Sequence, residues 1–119
     1  MTYRLVNIRK VHPTEQFLCK ETLDYLGHAR KNEGCIEVFE DADGEQYLMD
    51  GHNRAYFWLK EGRILQPAEV HTIHETNQFG IAGFVLPDAQ RCLQLGIKTL
   101  CDLEKRIVTT HEEAKQRSI

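Results

Sequence analysis

From Tyr47 to Trp58 the chain passes from an apolar strand end through Asp50-Gly51 straight into a helix, with polar groups on its first turn and aromatics behind them. The first N–H groups of a helix have no partners within it and its dipole is positive there, so such a junction suits an anion. A phosphate set against Gly51, His52 and Asn53 would meet several donors at once. Gly51 has no side chain to block the approach, and Arg54 adds a planar, permanently charged fork.

The 119 residues predict one domain with one core, and 41% hydrophobic and 28% charged residues are the proportions of an ordinary globular protein. No apolar run approaches the roughly 20 residues of a membrane span, and no signal peptide opens the sequence, so a cytoplasmic protein is expected. The net charge of -3 and the lack of a Lys/Arg run argue against a duplex DNA binder. Cys19, Cys35, Cys92 and Cys101 form no Cys-x-x-Cys motif and no zinc spacing with histidine. Each sits among apolar neighbours, and buried structural thiols are expected.

Alternation over Tyr3 to Val11 predicts a first strand. Pro13 ends it, and Thr14 is expected to cap a helix that opens with Glu15 and Gln16, buries Leu18, Thr22, Tyr25, Leu26 and Ala29, and stops near Asn32 and Gly34. Cys35 to Glu40 and Glu45 to Met49 form a hairpin about Asp41-Ala42-Asp43-Gly44. A helix from His52 to Glu61 with Gly62 as its cap follows, then a strand after Pro67. Glu75 to Phe84 reads as a loop. Pro87-Asp88 is expected to start a short helix ended by Gly96, and Thr99 with Asp102 to open another carrying Leu100, Leu103 and Ile107. Residues 1–75 thus form a core and 85–118 a helical C-terminal part of a single α+β domain.

Other groups carry less. His71 and His74 are three residues apart with no evident third ligand. Tyr56, Phe57 and Trp58 are expected to pack inward. Glu37, Glu40, Asp41, Asp43 and Glu45 are expected to be a solvated hairpin tip.

Pro13-Thr14-Glu15 and Asp50-Gly51-His52-Asn53-Arg54, in this order of elements, resemble the ParB/sulfiredoxin-like superfamily. The similarity is greatest to its free-serine kinases, which carry a glutamate after the first strand and an Asp-Gly-His-His-Arg box. The segment Gly96 to Arg106 is also similar to their C-terminal part. Asn53 stands where that box has its second His. His52 stands where sulfiredoxins have a reactive cysteine, which argues against sulfinic acid reduction. The partition proteins' Gly-Glu-Arg-Arg is matched only at Arg54, which leaves the DNA-partition reading weak.

The resemblance implies a small mixed sheet with packed helices, and a phosphotransferase using ATP or ADP with Mg2+ to phosphorylate a small hydroxylated metabolite such as free serine. It makes Glu15 and Asp50 the catalytic carboxylates, Glu15 the better candidate for the base, while Asp50 positions the hydroxyl, binds the metal, or both. Gly51, His52, Asn53 and Arg54 would bind the phosphate, with Arg54 and His52 as clamp. The alternative is a non-catalytic nucleotide-binding or DNA-associated module acting through a partner; a nuclease has little support in these residues. A homodimer that completes the site of so short a member is compatible with either. Taken singly, each residue has an ordinary role: Glu15 a carboxylate on a helix first turn, Asp50 an N-cap, Arg54 a surface ion pair, His52 an exposed first-turn residue.

Overall fold

A computed structural model describes residues 2–29, 34–72, 80 and 82–119. Eight residues of sheet hydrogen bonding in β5 (Leu65–Thr72) hold the architecture together. On one side β5 pairs antiparallel with β1 (Thr2–Asn7), and on the other parallel with β3 (Ile36–Glu40), which pairs antiparallel with β4 (Gln46–Asp50). The parallel pair needs a crossover, and the β4 strand followed by α2 (His52–Lys60) supplies it. A second, two-stranded parallel sheet joins β2 (Leu18–Cys19) to β6 (Ile107–Val108).

The fold is thus a small mixed α+β domain whose described residues form the helices α1 (Lys20–Ala29), α2, α3 (Ala82–Gln94) and α4 (His111–Arg117). Val6, Ile36, Val38, Leu48, Ala68 and Val70 from the sheet meet Ala55, Tyr56 and Trp58 of α2, with Ile97, Leu100 and Leu103 closing the core. Trp58 and Tyr56 are buried as expected, with Phe57 packed against them. No helix among the described residues is long and apolar enough to cross a membrane.

The hairpin and α2 lie where the sequence places them. Gly62 N–H donates to Leu59 O and Arg63 N–H to Trp58 O, both at 3.0 Å, which closes α2 with the expected glycine one residue beyond its last turn. β1 stops earlier than expected, because the Asn7 side chain accepts the Arg9 N–H at 2.9 Å and its carbonyl the Lys10 N–H at 3.0 Å, turning the chain.

The largest difference lies between Pro13 and Cys19. This segment is extended, and α1 begins only at Lys20. Thr14 caps nothing; its Oγ1 donates to Leu48 O at 2.6 Å. Leu18 N–H donates to Arg106 O at 3.0 Å and Cys19 N–H to Asn53 Oδ1 at 2.8 Å. Backbone groups that a helix would use are satisfied by α2 and the C-terminal region, so tertiary partners override the local capping signal. Leu26 is buried on α1, but Tyr25 is exposed.

The C-terminal part also differs. α3 starts at Ala82, upstream of Pro87 and including Phe84, which is 75% exposed. Pro87 lacks only the bond to Gly83 near the helix start, where the carbonyl is open to water. Of the expected loop, residues 75–79 and 81 lie outside the described residues, as do the end of the first expected helix at 30–33 and Ile73. Thr99 and Asp102 do form their reciprocal pair, with Thr99 N–H donating to Asp102 Oδ2 at 2.9 Å, but they open only a 3-10 turn, Leu100–Leu103. Ile107 and Val108 then leave the helical path to pair with β2, and Thr110 caps α4.

Two surface expectations hold only in part, Asp43 and Glu45 being exposed at the hairpin tip as expected. Among the hairpin acids, Glu40 pairs with Arg4 at 2.7 Å, Glu45 with His12 at 2.8 Å, and Asp41 Oδ1 accepts the turn N–H groups of Asp43 and Glu45 at 2.9 Å, while Glu37 is half-buried in the sheet. Cys19 and Cys92 are buried, but Cys35 is only partly so and Cys101 is exposed.

Gly51 sits at φ 94°, and a Cβ there would lie 2.8 Å from Ile36 Cγ2. Gly51→Ala is expected to cost about 1–3 kcal/mol of stability, measured by urea denaturation, because it adds both left-handed strain and a clash.

Candidate functional site

Gly51 is the N-cap of α2, and no side chain caps it. Asp50 is therefore free of the capping role that its position suggests. It ends β4 with an exposed side chain on a cleft of about 310 Å³, whose lining also includes Glu15, Asn53, Arg54, Cys35 and His111. The extended segment after Pro13 brings Glu15 to the mouth of the same cleft. All six residues singled out in the sequence are thus brought together.

His52 is the exception in orientation. Its side chain is turned into the core, 1% exposed, with Nε2 accepting the Thr14 N–H at 2.9 Å and the Glu15 N–H at 3.2 Å. Two donors on Nε2 place the ring proton on Nδ1, which faces Glu15 Oε2 at 3.6 Å. Burial pushes the imidazole pKa down to about 3, so His52 is neutral at ordinary pH. It is neither an exposed first-turn residue nor a cationic clamp; it is the peg on which the Glu15 backbone hangs.

The Asn53 side chain has a structural partner. Its Oδ1 accepts the Cys19 N–H at 2.8 Å, so the side chain anchors β2. What His52 and Asn53 offer an anion is their backbone N–H groups at the start of α2. Gly51 also owes its lack of a side chain to Ile36 as much as to any ligand.

Arg54 carries the positive charge of the cleft. Among the described residues no carboxylate pairs with it, and its Nε is buried without a partner. Its guanidinium lies against Gly34, where a Cβ would come within 2.5 Å of Nη1. Gly34, expected as a helix stop, makes room for this side chain.

The carboxylates of Glu15 and Asp50 line the same cleft as Arg54. Burial, then the charge of Asp50, raise the pKa of Glu15, with His111 partly offsetting them. Glu15 is outside any helix, so the first-turn reading of its carboxylate does not hold. A neighbouring hollow of about 380 Å³ shares Glu15, Asn53 and His111 with the cleft and adds Asp88, Arg91 and Lys115 from α3 and α4. These last residues had no signal in the sequence, since only the folding of the C-terminal helices over β2 brings them near Glu15. His74, paired with His71 by spacing, lies outside the described residues.

The linkage sign for His52 is that of a base whose proton affinity falls on folding. The unfolded chain binds one more proton between pH 6.5 and about 3, so this contribution is present above pH 6.5 and is lost as pH falls through the window. The raised pKa of Glu15 acts with the opposite sign. His52→Gln keeps an acceptor but cannot titrate, and urea midpoints across this range are expected to lose about one proton's worth of pH slope relative to wild type.

The fold is similar to that of protein Atu1540 from Agrobacterium tumefaciens in its crystal structure, with a TM-score of 0.60 and 15% sequence identity over 87% of this chain. The chain spans 62% of that protein's length, and at this identity the likeness is one of fold alone. Neither a protein-family model nor a curated protein matches the sequence.

Proposed function

We propose that this domain is a nucleotide-dependent phosphotransferase of ParB/sulfiredoxin-like fold that passes a phosphate to the hydroxyl of a small metabolite, free serine being the acceptor suggested by sequence resemblance. One observation carries the reading: among the described residues Glu15, Asp50 and Arg54 each lack the ordinary structural role open to them, and they line one cleft at the start of α2. Charged side chains without structural employment, gathered in a concavity, mark a site.

In this reading the backbone N–H groups of His52 and Asn53 and the guanidinium of Arg54 receive the phosphate. Glu15, with its proton affinity raised by burial and Asp50, takes the proton of the acceptor hydroxyl. The acceptor oxygen forms a bond to phosphorus as the bond to the bridging oxygen of the donor breaks, and the nucleotide leaves with that electron pair. Glu15 and Asp50 are hard oxygen donors suited to Mg2+, which supplies charge neutralisation on the phosphates when bound. His52 positions Glu15 without touching substrate.

The inward turn of His52 also favours a second reading. With its imidazole neutral, Arg54 is the one permanent cation lining the cleft among the described residues, which suits a binding module as well as a catalyst.

Calorimetric titration with ADP, ATP and CTP plus Mg2+, followed by phosphorus NMR with L-serine added, separates these. Wild type is expected to bind saturably, and Arg54→Ala to bind about 10- to 100-fold more weakly, the worth of a charge-assisted phosphate contact. Glu15→Gln is expected to keep binding and lose ester formation. Binding with no ester from any hydroxylated acceptor supports the module, and no nucleotide binding by folded protein overturns both readings.

As base, Glu15 must be ionised, so turnover is expected to rise with pH through a pKa above the ordinary glutamate value, and Asp50→Asn to move that limb to lower pH. An acid limb unmoved in Asp50→Asn would count against the assignment of Glu15.

A further inference from the structure

We propose that Glu37, Glu69 and His71 form a binding site for a divalent transition metal ion of the zinc or manganese class, on the sheet face turned away from the α2 core. The proposal is independent of the phosphotransferase reading. One ligand atom from each of the three residues lies within 4.8 Å of the other two, a spacing that a single ion bridges at ordinary metal–ligand distances.

The backbone builds this grouping. Glu37 on β3 and Glu69 on β5 are direct partners in the parallel register, and His71 follows Glu69 by two residues on the same face. A register shift between Glu37 and Val38, against β4, re-aims the strand at this point. The ligands therefore come from two central strands rather than from a loop, which holds them with little freedom.

Three independent features call for a cation. The carboxylates of Glu37 and Glu69 each bring an oxygen within 4.8 Å of the other, yet no Lys or Arg pairs with either among the described residues. Two neighbouring carboxylates of this kind offer a cation paired oxygen donors. The Nε2 of His71 is buried with no hydrogen-bond partner, which is costly for a ring nitrogen unless it is ligated. Glu69 is also oriented from behind: Tyr3 Oη donates to its Oε1 at 3.0 Å, the kind of outer contact that steadies a metal ligand.

The donor set indicates the ion. One imidazole with two carboxylates suits zinc, manganese or iron better than calcium or magnesium, which prefer all-oxygen shells. Three protein ligands leave coordination positions open, so the site is built for exchange with water or a small anion rather than for closed structural zinc. Glu37 is also the register partner of Asp50, which places the ion one strand away from the cleft at the start of α2.

The test is calorimetric titration of chelator-treated protein with Zn2+ and, separately, Mn2+, with no nucleotide present. Wild type is expected to take up one ion per chain saturably for at least one of the two metals. Glu69→Gln and His71→Gln, each checked by far-UV circular dichroism, are expected to weaken that uptake at least tenfold, whereas Arg54→Ala binds as wild type does. If either ligand variant fails to fold, Tyr3→Phe at an exposed position reads the same site, with an expected loss of about tenfold. Absence of saturable uptake of both ions by folded wild type overturns the proposal, and so does uptake that the folded variants leave unchanged.

Discussion

A single imidazole ties the two halves of the candidate site together. Nε2 of His52 accepts the N–H groups of Thr14 and Glu15, so this stretch of backbone is held against the first turn of α2. Without that acceptor two donors would be stranded at a half-buried position, each costing about 1–3 kcal/mol. The ring can do this only while neutral, and its burial keeps it so. Placement of Glu15 in the same cleft as Arg54 thus rests on a group that contributes no charge of its own.

What the sequence made legible is what local chemistry decides. The Asp-Gly turn, the hairpin and the helix after Gly51 need only glycine at a left-handed position, polar turn residues and an apolar stripe, and all three lie where these signals put them. The segment from Thr14 to Cys19 carried an equally good local signal for a helix start, yet it is extended. Its donors find better acceptors in His52 and Asn53 from α2 and in the carbonyl of Arg106, and nothing within five residues of Thr14 announces them. Ile107 continues a helical face in the sequence and Val108 begins its break; both are β-branched, and a parallel strand partner was waiting in β2.

The site shows the same division. Asp50 to Arg54 and Glu15 could be named together because their order along the chain is distinctive. Their orientations could not be read: one histidine and one asparagine in the box face structural partners, and the arginine faces the cleft. Side-chain direction on a first turn depends on what packs beneath it, here Ile36 under Gly51 and Gly34 beneath the guanidinium.

The short β2–β6 pairing has a consequence for how the chain reaches its native state. The contacts it makes, such as Cys19 Sγ to the Thr109 carbonyl, join residues 90 positions apart. A two-residue ladder returns little energy for closing so long a loop, so it has no means of forming early. The central sheet and α2 must assemble first and offer a surface on which the C-terminal region docks. The floor under the neighbouring hollow, made of Phe17 with Arg106 and Arg117 stacked over its ring, is then the last part of the molecule to order and the first to open in hydrogen exchange.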